Sequence, residues 1–196
     1  DAEAYRAALR PNTRMVFVET ITNPRMDVVD LPAVAKISHL AGIPFVVDST
    51  VTTPVLVRPG EHGADIVIHS VSKFINGHGN SIGGAIVDTG SFDWRSGPFQ
   101  DIAVLAKKAG KLAFLAHLRM LICRDLGCCP SPFNSFLHLI GIEGLPMRMD
   151  VHCRNAQVLA EYLASQSKVA WVNYPGLADN RYHELASRLF AGRFGA

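Results

Sequence analysis

Between Ile66 and Val87 the chain carries a single formally charged residue, Lys73. A lone ammonium just past a buried strand is costly without a task or a partner. Partial desolvation lowers a lysine pKa and makes the neutral amine available as a nucleophile or base. The alternative is a surface lysine on a loop. Ser70 and Ser72 flank Lys73 with hydroxyl donors, and Gly77, Gly79, Gly83 and Gly84 follow. Glycines let backbone approach a ligand closely, and hydroxyls beside backbone N–H groups suit a phosphate. The run Gly77–Gly83 loosely resembles a dinucleotide loop. It follows the lysine and precedes a strand instead of joining strand to helix, which excludes that reading.

Asp48 ends a second apolar run, Phe45-Val46-Val47. A carboxylate there can cap a helix, or it can hold a protonated ring nitrogen. A lysine as imine partner, an aspartate as pyridinium partner and hydroxyls for a phosphate are together what pyridoxal phosphate requires.

These residues need elements to position them. Ala2–Leu9 reads as the tail of a helix, with a turn at Pro11-Asn12-Thr13. Met15–Glu19, Ile43–Val47, Ile66–Ile68 and Gly83–Val87 read as strands. Leu31, Val34, Ala35, Ile37 and Leu40 recur at helical spacing, and Gly42 stands where a C-terminal cap belongs. Strands that are apolar without alternation suggest a sheet covered on both faces. One helix between the first two suggests a right-handed crossover and parallel pairing. Ligands of such sheets gather at the carboxyl ends of strands, which singles out Glu19, Asp48 and the segment after Ile68. Ser49–Gly63 is rich in turns. Ile102–Arg124, Phe133–Leu145, Met147–Ser165 and His183–Phe190 read as helices, with a kink or boundary at Pro146. Val169–Val172 reads as a fifth strand. Both ends look cut from something longer.

The 196 residues are 48% hydrophobic and 18% charged, with a formal net charge of +2. That composition supports a buried core and excludes disordered, collagen-like and coiled-coil classes. The charge gives no case for nucleic acid or a polybasic membrane surface, and no apolar run is long enough to span a bilayer. Cys123, Cys128, Cys129 and Cys153 form neither a disulfide framework nor a zinc motif and read as free thiols of a reducing cytoplasm. His39, His117, His138, His152 and His183 lack metal-ligand spacing and read as structural or exposed. His69 and His78 lie near the lysine and could touch its site. No metal site is expected.

Val47-Asp48-Ser49-Thr50, Thr53-Pro54, the run Gly63-Ala64-Asp65-Ile66-Val67-Ile68-His69-Ser70-Val71-Ser72-Lys73-Phe74, and Gly77-His78-Gly79 closely resemble the Cys/Met-metabolism family of pyridoxal-phosphate enzymes. Glu19 followed by Asn23-Pro24 fits too. Arg124-Asp125-Leu126-Gly127, Ser131-Pro132-Phe133-Asn134 and Trp171-Val172-Asn173-Tyr174-Pro175-Gly176 resemble its O-acetylhomoserine sulfhydrylase branch. The resemblance implies an α/β fold: a fold-type-I, aminotransferase-like three-layer domain with a mainly parallel sheet, plus the start of a smaller α/β C-terminal domain. Residues 1–130 would be part of the cofactor-binding domain, and 131–196 the connecting helices and the start of the C-terminal domain.

By the same resemblance Lys73 is the catalytic, imine-forming lysine and Asp48 pairs with the pyridine nitrogen. Ser70 and Ser72 bind the phosphate, Thr50 helps hold Asp48 or the ring, and Asn23 lies near the phenolic oxygen. Ser72 stands where the family more often has Thr, and Ser49 where it usually has Asn. The implied activity is γ-replacement on O-acetylhomoserine by sulfide or a thiol, of the transsulfuration type in homocysteine and methionine biosynthesis. Alternatives are a methionine or cystathionine γ-lyase or a γ-synthase. A reading of another class is an inactive fragment that associates with intact family subunits. The resemblance also implies a cytoplasmic homo-oligomer, a dimer of dimers. Against the family pattern the chain would lack an N-terminal region, with the aromatic residue that stacks on the cofactor. It would also lack most of the C-terminal domain, with the arginine that clamps the substrate carboxylate. Phe92–Phe114 looks shortened.

Overall fold

The structure, a computed structural model, describes residues 2–196. After helix α1 (Ala2–Ala8), three short apolar runs rich in β-branched residues form the parallel part of one sheet, as such residues favour a pleated, packed surface. They are β1 (Val16–Glu19), β2 (Phe45–Asp48) and β3 (Ile66–Ser70). β4 (Gly84–Asp88) pairs antiparallel with β3, in the order β1-β2-β3-β4. Glu19 lies opposite Asp48, and Asp48 opposite Ile68, so the carboxyl ends of the parallel strands lie side by side.

Helix α2 (Leu31–Leu40) makes the crossover from β1 to β2. The Asp30 carboxylate accepts the Ala33 N–H at 3.2 Å, and Pro32 stands in the first turn; both are N-terminal signals. Gly42, at φ +68°, reverses the chain into β2. The turn-rich stretch that follows contains a short helix, α3 (Thr53–Leu56), and a 3-10 turn at Pro59–His62.

Alternate residues of β2 enter two different cores. Phe45 and Val47 pack with Val16, Val18, Leu31, Val34 and Val67 on one face. Val46 packs with Ile66, Trp94, Ala106 and Ala113 on the other. That second face is covered by α4 (Gln100–Ala109) and α5 (Ala113–His117), which gives three layers. From α5 the chain continues helically through Leu118–Cys123 into α6 (Arg124–Leu126) and ends at Gly127, φ +72°. α7 (Pro132–Glu143) and α8 (Leu145–Ala164) follow, with Pro146 in the first turn of α8. Leu145, Met149 and Cys153 of α8 form a third core with Leu56 and Ile75. α9 (His183–Phe190) returns Ala186, Leu189 and Phe190 to the first core.

Two expectations need correction. Double-sided coverage holds for β2 but not at the sheet edges. The apolar cluster beneath α4 and α5 takes in Val46 of β2 and Ile66 and Ile68 of β3, whereas Phe17 of β1 is 49% exposed and Ile86 and Val87 of β4 are exposed. Val169–Val172 is irregular chain, not a strand. A strand needs a ladder partner, and the segment pairs with none of the four strands.

Phe45 is fully buried where β2 meets both α2 and β1. Phe45→Ala is expected to lower unfolding stability by about 3–5 kcal/mol, read by urea denaturation. A loss below about 1 kcal/mol would contradict this placement of the core.

Candidate active site

The carboxyl ends of β1, β2 and β3 open into a cleft of about 120 Å³. Glu19, Asn23, Asp48, Thr50, Ser70 and Lys73 line it, with Ile21 and Val51 as its apolar wall. Five of the six residues singled out from the sequence therefore meet in one place: Lys73, Asp48, Thr50, Ser70 and Asn23. The sixth, Ser72, lies outside the lining. Its hydroxyl donates to the Gly83 carbonyl (3.2 Å) and accepts the Gly83 N–H (2.9 Å).

The cleft is built by short-range hydrogen bonds at strand ends. Asp48 is half-buried, and its Oδ1 accepts the Thr50 N–H at 2.8 Å. Thr50 in turn accepts the Ser70 N–H on its Oγ1 at 2.8 Å, which ties the end of β3 to the turn after β2. Glu19 accepts the Asn23 N–H at 2.8 Å and orders the turn after β1. Below the cleft is a buried chain of hydroxyls: Thr20 Oγ1 meets Thr52 Oγ1 at 2.9 Å, and Thr52 Oγ1 meets Ser49 Oγ at 2.8 Å. Ser49 is thus fully buried and hydrogen-bonded. Thr53 has φ +55°, a strained conformation for a β-branched residue, worth on the order of 1–3 kcal/mol. Its N–H donates to Ser49 O at 2.8 Å, which helps hold it there.

Lys73 lies in a helical turn, Val71–Ile75, that is broken at the lysine itself (φ −90°, ψ −125°). Its side chain is exposed, a correction to the partial desolvation expected from the sequence. The cleft walls are strand ends and the turns that follow them, and they leave its mouth open to water. Nor is the surrounding pocket free of charge, because Glu19 and Asp48 share it with the lysine.

Of the two histidines near the lysine, His69 is buried, with Nδ1 at 3.2 Å from the Ser49 carbonyl. Burial pushes its pKa down, while the Ser49 carbonyl and the Asp48 charge pull it back up. His78 is exposed, and its Nδ1 meets Asn76 O at 2.6 Å. His138, read from the sequence as structural or exposed, joins the segment beyond the lysine. Its Nδ1 lies 3.0 Å from Asn76 Nδ2, and its Nε2 lies 3.2 Å from Ser81 Oγ. Pairings between residues so distant in sequence leave no local signal. The Thr20–Thr52 contact was missed for the same reason.

The donor set matches the chemistry of a phosphorylated pyridine aldehyde. It offers an amine, a carboxylate ordered by an N–H, and a serine hydroxyl at one strand end. No group of three or more His, Cys, Asp or Glu among the described residues could hold a metal.

His69 also gives the site a pH signature. Because its pKa is lowered in the folded chain, the unfolded chain takes up the proton first as pH falls below about 6.5. Acidification therefore removes stability. The melting temperature is expected to fall between pH 7 and pH 5, with a shallower slope in His69→Gln. Equal slopes in the two proteins would contradict the assignment.

The sequence profile described as Cys/Met metabolism PLP-dependent enzyme matches residues 1–195. The O-acetyl-L-homoserine sulfhydrylase of Leptospira meyeri is 41% identical over 214 aligned positions, which cover 100% of this chain and 48% of that protein. The solved O-acetylhomoserine sulfhydrylase of Wolinella succinogenes superimposes with a TM-score of 0.89 at 40% identity, covering 99% of this chain and 55% of that one. A Campylobacter jejuni protein described as an O-acetylhomoserine (thiol)-lyase superimposes at 0.86 with 29% identity, over 99% of this chain and 50% of its own. That structure contains N'-pyridoxyl-lysine-5'-monophosphate. The chain thus spans about half the length of the curated relatives it matches. A match from end to end, together with the same fold, shows that the chain belongs to the Cys/Met-metabolism family of pyridoxal-phosphate-dependent enzymes.

Proposed function

We propose that the cleft at the ends of β1–β3 is the cofactor and substrate site of a γ-replacing enzyme. It would exchange the acetate of O-acetylhomoserine for a sulfur nucleophile, sulfide or a thiol, breaking a carbon–oxygen bond and forming a carbon–sulfur bond at Cγ. One observation carries this reading: Lys73 and Asp48 line one cleft with Thr50 and Ser70. The sulfhydrylases of similar sequence and fold support the choice of reaction.

The residues present fit pyridoxal phosphate. When bound, that group supplies an electron sink for charge released at the substrate α-carbon. Asp48, ordered by the Thr50 N–H, would hold a proton on the ring nitrogen. Ser70 would hold the phosphate. Ser72 would join it by turning its O–H away from the Gly83 carbonyl. Asn23, whose N–H is bound by Glu19, would face the phenolic oxygen. Lys73 would hold the cofactor at its aldehyde end, and its Nζ, when free, would take the proton from the substrate α-carbon. The exposed position of Lys73 suits an amine that must meet an incoming molecule.

This reading includes a homo-oligomer, supported by Phe133, Phe136, Leu139 and Ile140, all exposed on α7, since apolar surface of that kind marks contact faces. It also includes a reducing, cytoplasmic setting, supported by four free thiols and the rarity of such thiols in oxidising compartments.

The test is reductive trapping. Pyridoxal phosphate and borohydride followed by peptide mass mapping is expected to place a pyridoxyl group on Lys73 and on no other lysine, and Lys73→Ala should abolish it. Where the chain turns over O-acetylhomoserine and sulfide, the product is expected to be homocysteine, and Lys73→Ala should lower the rate by about 10²–10⁴. Label on other lysines would remove the assignment of the site. Release of ammonia and a keto acid would move it to the γ-lyases.

A further inference from the structure

Arg148, on α8, is remote in sequence from the cleft. Its guanidinium donates to three backbone carbonyls: Nη1 to Phe74 (2.7 Å), and Nη2 to Ile75 (3.2 Å) and Gly141 (2.7 Å). Phe74 and Ile75 close the turn that carries Lys73, and Gly141 lies in the last turn of α7. Carbonyls at helical ends lack partners within the helix, and a cation is favoured there. A planar guanidinium with several fixed donors can serve three such oxygens together; an ammonium cannot do so in the same geometry.

The backbone makes room for this contact. Gly77, at φ +73°, comes so close that a Cβ would overlap the Arg148 guanidinium. Gly141 packs on the Asn76 backbone, where a Cβ would also overlap. The Lys73 turn needs an outside anchor because its own helical geometry breaks at the lysine. Besides the Arg148 bonds, this segment is held by the hydrogen bonds of Val71 and Ser72 to Gly83, the Asn76–His138 contact, the edge-on contact of Phe74 with His152, and the packing of Ile75 with Leu145 and Met149.

We propose that Arg148 is a positioning residue for Lys73. By pinning the carbonyls of Phe74 and Ile75 to α7 and α8, it fixes the backbone from which the amine reaches the cofactor. This rests on the reading of Lys73 given above.

The test compares the chain with Arg148→Ala, Arg148→Lys and, as control, Arg154→Ala, which alters an exposed arginine on the same helix. Hydrogen exchange on the ligand-free proteins reads the brace itself. The Asn76 and Gly77 amides, bound to the Val71 and Lys73 carbonyls, are expected to exchange roughly tenfold faster in Arg148→Ala, the change for losing about 1.4 kcal/mol. The control is expected to match the parent. Reductive trapping at a limiting concentration of pyridoxal phosphate reads the consequence. Labelling of Lys73, per folded molecule, is expected to drop roughly tenfold in Arg148→Ala, with partial recovery in Arg148→Lys and on adding guanidinium ion to the alanine variant. Where the alanine variant does not fold, the lysine variant carries both readouts and is expected to fall between parent and complete loss. Unchanged exchange overturns the proposal. Faster exchange with unchanged labelling of Lys73 also overturns it, because Arg148 is then structural only. Label on other lysines in the parent chain removes the cofactor reading, whereas the exchange data still decide whether the brace exists.

Discussion

Parallel pairing of β2 with β3 is the constraint on which the site is built. It brings the end of the strand carrying Asp48 beside the end of the strand that leads into Lys73. Both residues then line one cleft at the carboxyl end of the sheet, where ligands of such sheets gather. The Thr50 turn locks the pair. It gives an N–H to Asp48 and takes an N–H from Ser70, so the carboxylate and the root of the lysine turn share one small unit of hydrogen bonds. The other elements keep this edge in place. α2 and α9 cover one face, α4 and α5 cover the other, and α8 supports the loop beyond the lysine.

The electrostatics of the cleft follow from that arrangement. Two carboxylates and one ammonium share a small volume open to water. Behind them His69 is buried with its pKa lowered, so it favours the neutral form and adds little charge near Asp48. The hydroxyl chain from Thr20 to Ser49 is polar yet uncharged. Strong charge is thus concentrated on residues that can meet a ligand, while the layer beneath them is satisfied by neutral hydrogen bonds. The strained Thr53 backbone lies at the end of this same turn, where strain commonly accompanies function.

Much of this was legible in the sequence because its determinants are local. The runs Val16–Glu19, Phe45–Asp48 and Ile66–Ser70 are short and apolar, and the helix at Leu31–Leu40 carries its own cap and periodicity. Lys73 stood out through the absence of charge around it. What the sequence hid depends on tertiary partners. Val169–Val172 has strand composition but no neighbour to pair with. The exposure of Lys73 depends on how far the cleft walls extend. Arg148, His138 and Thr52 act through residues far away along the chain, and an arginine in the first turns of an ordinary amphipathic helix gives no hint that its targets are carbonyls.

In the proposed site one cofactor ring is held at opposite ends by Lys73 and Asp48. Nitrogen NMR of the chain loaded with pyridoxal phosphate labelled with ¹⁵N in the ring reads that arrangement. A protonated ring nitrogen that becomes deprotonated in Asp48→Ala is the result expected. A ring nitrogen whose shift is the same with and without the Asp48 carboxylate would contradict the account.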